Sequence, residues 1–387
     1  MKSMLKLAPA AAAAAVFSVA ALSAQAADIA IGAAESLSGG AAQYGNNIRN
    51  GFQLAVDEIN AAGGVGGNKI KLIVEDDQTK KEEAINVFKK LIFQDNVLMV
   101  FGPTLSNTAL AAHPIAQSAK TVAMGTSTTI PGITDPGNYV FRNAVTEALV
   151  IPITLKTAHE KLGFKKVAVL YANNDLLSKG GYDVFKQALQ DQHIEVTTTE
   201  TFATGDVDFK AQLTKIKSTN PDAVVLSALI AEAGPVVAQA RQMGLNVPFI
   251  GGNGLNSPKL FELAPGAASD NVWVGGPWSL ENAAPENTRF IAAYKARYNG
   301  NPDQFAAQAY DAMHIAAAAL KNVPISGDVA KDRAAFRDAL AAVQWTGATG
   351  PFKFAQIKNK AGQLAGYDAV QTPIISVTKG GKYNIVH

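Results

Sequence analysis

The chain has 387 residues, 34 Lys plus Arg against 32 Asp plus Glu, 48% hydrophobic residues and no cysteine. Near-balanced charge withholds the basic face that nucleic-acid binding needs, and the missing cysteines exclude disulfides, thiolate metal sites, a catalytic thiol and lipid attachment at an N-terminal Cys. At this length two cores are expected rather than one.

Lys2 and Lys6 precede an Ala-rich apolar stretch through Val16, Phe17, Val19 and Leu22, which ends in the small-x-small pattern Ala24-Gln25-Ala26. Residues 1–26 are therefore read as a secretory signal cleaved after Ala26, with a periplasmic destination. Strand-like apolar runs follow at about 28–33, 69–75, 97–101 and 121–124, separated by helical periodicity at about 46–61, 79–94 and 105–119. After Tyr139-Val140-Phe141 the alternation restarts, with strand-like runs at about 166–171, 194–201, 223–226, 247–250 and 272–274 and helices at about 178–191, 208–218 and 231–243. Three helical stretches, about 286–298, 304–321 and 329–342, lead to strand-like segments near 351–354 and 367–376. This is the signature of α/β architecture, with two doubly wound parallel-sheet lobes in series. The tail lacks strands for a third domain and is expected to complete both sheets. The chain then makes three crossovers, near 142, 276 and 355, giving lobe 1 as 27–142 plus 277–354 and lobe 2 as 143–276 plus 355–387. Ligands of open parallel sheets bind outside the carboxyl ends of the strands, so a cleft between the lobes and a hinge closure are expected.

Two hydroxyl-rich junctions stand at successive strand ends: Gly102-Pro103-Thr104-Leu105-Ser106-Asn107-Thr108 and Gly125-Thr126-Ser127-Thr128-Thr129. A helix start beyond the first would bring unpaired amides and partial positive charge beside these hydroxyls, a seat for a small carboxylate. The plainer alternative is an N-cap followed by a loop. The five histidines, His113, His159, His193, His314 and His387, have no zinc spacing, and His113 and His159 are read as surface or capping residues. No Gly-x-Ser-x-Gly elbow occurs. Glu75, Asp76 and Asp77 are read as loop caps rather than metal ligands, and Gly64-Val65-Gly66-Gly67 as a turn. No catalysis, metal or cofactor is expected.

Asp28-Ile29-Ala30-Ile31-Gly32, Ser38-Gly39, Gln43-Tyr44-Gly45, Asp57-Glu58-Ile59-Asn60 and Gly63-Gly64-Val65-Gly66-Gly67 together resemble the leucine/isoleucine/valine-binding protein family, type I periplasmic solute-binding proteins of ABC transporters. The likeness continues through Asp76-Asp77, both hydroxyl junctions, Asn220-Pro221-Asp222-Ala223, Ala240-Arg241-Gln242-Met243-Gly244-Leu245 and Phe305-Ala306-Ala307-Gln308-Ala309-Tyr310-Asp311-Ala312. The resemblance implies that Ser106, with Leu105 beside it, anchors an α-carboxylate and that Thr126 and Thr128 complete the anchor. It implies an aromatic ligand neighbour at Tyr44 and an apolar contact at Phe305.

The second lobe departs from that pattern. Where the family often carries a carboxylate for the ligand's ammonium, this chain has Asn253, and Leu229 and Leu177 or Ser178 stand where ligand-facing tyrosines are expected. Either Asp175 or another carboxylate replaces the missing partner, or the ligand has no ammonium. The resulting expectation is a monomeric periplasmic substrate-binding protein that delivers a branched-chain or related amino acid to an inner-membrane ABC permease. The alternatives are capture of another organic acid or an amide, and a periplasmic sensor of the same fold.

Overall fold

A computed structural model describes residues 28–387; the expected signal peptide and cleavage after Ala26 lie outside the described residues. The first run of elements is β1 (Ile29–Glu35), α1 (Ala42–Ala61), β2 (Ile70–Asp76), α2 (Lys81–Lys89), β3 (Met99–Phe101), α3 (Ser106–Ser118), β4 (Val122–Gly125) and β5 (Val140–Arg142). The second is α4 (Glu147–Leu162), β6 (Lys166–Ala172), α5 (Leu176–Asp191), β7 (Glu195–Phe202), α6 (Lys210–Ser218), β8 (Ala223–Ser227), α7 (Ile230–Gln242), β9 (Phe249–Gly251), α8 (Lys259–Leu263) and β10 (Val272–Gly276). The tail supplies α9 (Pro285–Tyr298), α10 (Gln304–Leu320), α11 (Val329–Ala341), β11 (Gln344–Gly347), β12 (Gly350–Lys358), β13 (Leu364–Val370), β14 (Ile374–Lys379) and β15 (Lys382–Ile385). No described helix is long and apolar enough to cross a membrane.

Two α/β lobes result. The first sheet runs β11-β12-β13-β5-β4-β3-β1-β2 and the second β15-β14-β10-β9-β8-β6-β7. Their central strands pair in parallel, and antiparallel strands from the tail finish each sheet at one side. Central strands such as β4 and β8 are buried along their whole length, because helices cover both faces; their sequences accordingly read as unbroken apolar runs. α1 turns Ile48, Phe52, Ala55 and Ile59 inward and packs along α10, whose small Ala306, Ala309 and Ala312 allow close approach.

Three details differ from the sequence reading. α1 begins at Ala42 rather than near 46, so Tyr44 occupies its first turn and is buried. The passage expected near 355 falls inside β12, which pairs with β11 and β13 in the first sheet. The segment read as one strand over 367–376 is two: β13 pairs with β5, and β14 pairs with β10 of the other lobe. Gln371-Thr372-Pro373 separates them, and Pro373 cannot donate to a ladder. The chain therefore changes sheets for the third time after Val370. Strands half-open to solvent, such as β12, mix polar with apolar residues and give a weaker periodic signal than buried central strands.

Candidate ligand-binding site

The first-lobe wall is built at the carboxyl ends of β3 and β4. Beyond Phe101 the chain turns at Gly102, whose φ is 91° and where a Cβ would fall 2.1 Å from the Ala34 carbonyl oxygen. Only glycine allows that turn, which delivers Thr104, Leu105 and the start of α3 at Ser106. Thr104 Oγ1 donates to Glu35 Oε2 at 2.6 Å and accepts from the Ser36 amide at 2.9 Å. Ser127 Oγ donates to the Thr104 carbonyl at 2.6 Å, lacing the two hydroxyl junctions together. Ser106 Oγ accepts from the Thr129 amide at 3.3 Å, which leaves its own proton free to donate.

The second junction is held from behind. Arg142, buried at the end of β5, donates to the carbonyls of Thr128 at 3.3 Å and Ile130 at 2.6 Å. The same guanidinium forms a bidentate pair with Asp368 on β13, at 3.0 and 2.6 Å. Thr128 Oγ1 lies 2.2 Å from where a Cβ on Gly125 would stand, so the loop folds back over a residue that has none. His113 is also behind this wall, fully buried with Nε2 2.9 Å from the Gly102 carbonyl oxygen. The expectation of a surface or capping histidine is corrected: burial lowers its pKa, and the ring serves as an internal prop.

Tyr44, Leu105, Ser106 and Phe305 from the first lobe meet Leu177, Leu229 and Asn253 from the second around one narrow, nearly closed cavity. Thr104, Ser127 and Gly254 complete the lining. Thr126, Thr128 and Ser178 do not reach it. The hydroxyl oxygens of Thr126 and Thr128 are buried without partners. Ser178 is turned away because its amide and hydroxyl both donate to Asp175 Oδ2 at 2.8 Å, where Asp175 caps α5. Asp175 is thus a helix cap, and no carboxylate is among the residues lining the cavity.

Four side chains close the cavity by reaching between lobes. Tyr44, edge-on to Phe305 at 4.8 Å, donates its hydroxyl to the Gly254 carbonyl at 3.0 Å and accepts from the Ile230 amide at 2.6 Å. Gln304 Nε2 donates to Asn253 Oδ1 at 2.8 Å, and Gln304 Oε1 accepts from Asn256 Nδ2 at 2.8 Å. Two buried acids stand behind these contacts. Burial pushes Glu147 up to about 7, although its Oε1 accepts the Asn253 amide at 2.9 Å. Burial also raises Glu35 well above the usual carboxyl range, which favours its neutral form beside Thr104. Sequence reading missed Gln304, Arg142 and Glu147. Gln304 adjoins Phe305, which was singled out, but the groups that define all three roles are distant in sequence.

Comparison with known proteins follows the same lines. Residues 28–367 match the family described as periplasmic binding protein. The leucine-, isoleucine-, valine-, threonine-, and alanine-binding protein of Pseudomonas aeruginosa is 29% identical over 341 residues, 88% of each chain. The branched-chain amino acid transporter substrate binding protein of Streptococcus pneumoniae, solved in complex with isoleucine, has a TM-score of 0.83 at 32% identity, covering 93% of this chain and 99% of that one. A solute binding protein of an ABC transporter from R. palustris, solved in complex with benzoate, has a TM-score of 0.80 at 26% identity, covering 93% and 95%.

Proposed function

The chain belongs to the periplasmic binding protein family, in its leucine/isoleucine/valine-binding group, and from that premise we propose that it is the substrate-binding component of an ABC transporter. It captures a small carboxylate between its lobes in the periplasm, after loss of residues 1–26, and delivers it unchanged to an inner-membrane permease. The observation that carries this reading is the free hydroxyl proton of Ser106 at the start of α3, lining a cavity whose opposite wall is formed by Leu177, Leu229, Asn253 and Gly254. A carboxylate seated there accepts from the hydroxyl and from first-turn amides, bonds about twice as strong as neutral ones. The isoleucine of the S. pneumoniae protein and the benzoate of the R. palustris protein share that group. In this reading Thr126 and Thr128 shape the anchoring loop, while Leu105, Leu177, Leu229 and Phe305 enclose the apolar body of the ligand.

The test is a thermal-shift panel on residues 27–387 with leucine, isoleucine, benzoate and 4-methylpentanoate, each beside its carboxamide. At least one acid should raise the melting temperature where its amide does not, since ligand at 100 times its Kd adds about 2.7 kcal/mol to stability. Ser106→Ala should then weaken that acid by about 1.5–3 kcal/mol in calorimetry, the scale of a hydrogen bond to charge. A panel with no responding acid, or an alanine variant of unchanged affinity, overturns the proposal.

A further inference from the structure

We infer that the cavity selects small apolar carboxylates that carry no ammonium group, and that Gln304 enforces this by fixing which end of the Asn253 amide meets the ligand. The inference rests on the carboxylate-capture reading above and names the class of acid.

The argument is an inventory of donors and acceptors. Gln304 Nε2 donates to two oxygens of Asn253 at once, the side-chain Oδ1 at 2.8 Å and the backbone carbonyl at 3.3 Å. A backbone carbonyl can only accept, so the nitrogen end of the Gln304 amide must point at Asn253, and Asn253 must answer with Oδ1. The Asn256 amide, donating to Gln304 Oε1 at 2.8 Å, holds the other end of Gln304 in the same sense. What remains of Asn253 for the cavity it lines is Nδ2, a donor. An ammonium meeting that group finds a like-signed partial charge.

The other candidate acceptors are partly engaged or stand outside the lining: Glu232, near enough to act on the Tyr44 hydroxyl, accepts the Gly205 amide through Oε1 at 2.8 Å and does not line the cavity. The Gly254 carbonyl accepts the Tyr44 hydroxyl proton at 3.0 Å and keeps at most one lone pair for the cavity. Asp175 caps α5 through Oδ2, and Glu147 accepts the Asn253 amide from outside the cavity lining. Ser127, whose proton goes to the Thr104 carbonyl, offers one neutral oxygen on the carboxylate side. One hydroxyl and one carbonyl lone pair, both neutral, cannot compensate the charge of a buried ammonium with three N–H bonds, and an uncompensated buried charge is strongly unfavourable. Leu177 and Leu229 present hydrocarbon, so the rest of the ligand must be apolar, and an acceptor such as a keto oxygen is the polar group that matches the Asn253 donor.

Calorimetry on matched pairs tests this: 4-methylpentanoate and 4-methyl-2-oxopentanoate against leucine, and 3-phenylpropanoate against phenylalanine. Wild-type protein should bind at least one amine-free acid ten or more times tighter than its amino acid. Asn253→Glu should narrow or reverse the ratio, and Gln304→Ala, which frees the Asn253 amide to rotate, should narrow it with less loss for the amine-free acid. Leucine or phenylalanine binding wild type as tightly as its partner overturns the inference while leaving carboxylate capture standing. Failure of all five acids overturns this inference as well. Benzoate or isoleucine responding in the earlier panel then keeps carboxylate capture standing, and silence there removes both. The wild-type comparison decides even if a variant fails to fold.

Discussion

Glu147 illustrates how a single buried acid can tie this site to pH. It opens α4, donates its amide to the Thr129 carbonyl of the first-lobe loop at 3.0 Å and receives the Asn253 amide from the second lobe at 2.9 Å. Its Oε2 is buried without a partner. A carboxyl held up to about 7 keeps its proton in the folded protein after the unfolded chain has lost it, so the stability linked to that proton is present at low pH and disappears as pH rises through about 7. Asp303, pushed by burial to about 6, acts in the same direction at slightly lower pH. The melting temperature should therefore fall between pH 5 and pH 8, and Glu147→Gln, which keeps an acceptor for the Asn253 amide without a charge, should flatten the fall. A variant with the wild-type slope in differential scanning fluorimetry would remove Glu147 from the pH response. Legibility in sequence divides at this scale. Ser106 and Leu105 could be read because they follow a buried strand in one contiguous string. Gln304 could not, because the amide it locks lies 51 positions away, and a glutamine beside a phenylalanine carries no signal of its own.

At the level of elements, the contact between β5 and β13 carries more than its length suggests. Only Tyr367 opposite Phe141 and Asp368 opposite Arg142 are in register, yet the Arg142–Asp368 pair also holds the loop that carries Thr128. Arg142 is 2% exposed in its side chain and Asp368 18%, so removing the acid leaves a buried cation uncompensated. Asp368→Ala should lower unfolding stability by about 3 kcal/mol in urea titration and weaken carboxylate binding by loosening residues 126–130. A loss below about 1 kcal/mol, the ceiling for an exposed pair, would show the guanidinium to be solvated after all. The alternation of strands and helices was readable because parallel strands covered on both faces need unbroken apolar runs. The tail was not: β12 alternates buried and exposed residues, and its pairing with β13 follows from a hairpin that no local pattern distinguishes from a crossover.

For the whole molecule, closure is maintained by few bonds. Tyr44 supplies two of those that cross the cavity and Gln304 the others described above. Tyr44→Phe removes its two and leaves the Gly254 carbonyl and the Ile230 amide to find water, which they can do only by opening. Small-angle scattering of this variant without ligand should give a larger radius of gyration than wild type. Its affinity for an acid that binds wild type should fall about tenfold, as expected when a ~1.4 kcal/mol shift depopulates the competent form. Identical scattering and affinity would remove the Tyr44 hydroxyl from the bonds that hold the lobes together.

The placement of β13 between β5 and β12 also sets a timetable. The first sheet starts at Ile29, but the strand that joins its two parts arrives only at residues 364–370, and the second sheet waits for β14 at 374–379. Neither sheet can be completed before the tail is made, since β13 pairs back to β5 and β14 back to β10 across long stretches of chain, and long-range pairings form slowly. Until its last few dozen residues are available the chain has no finished sheet, a state in which a polypeptide can still be threaded through a narrow pore.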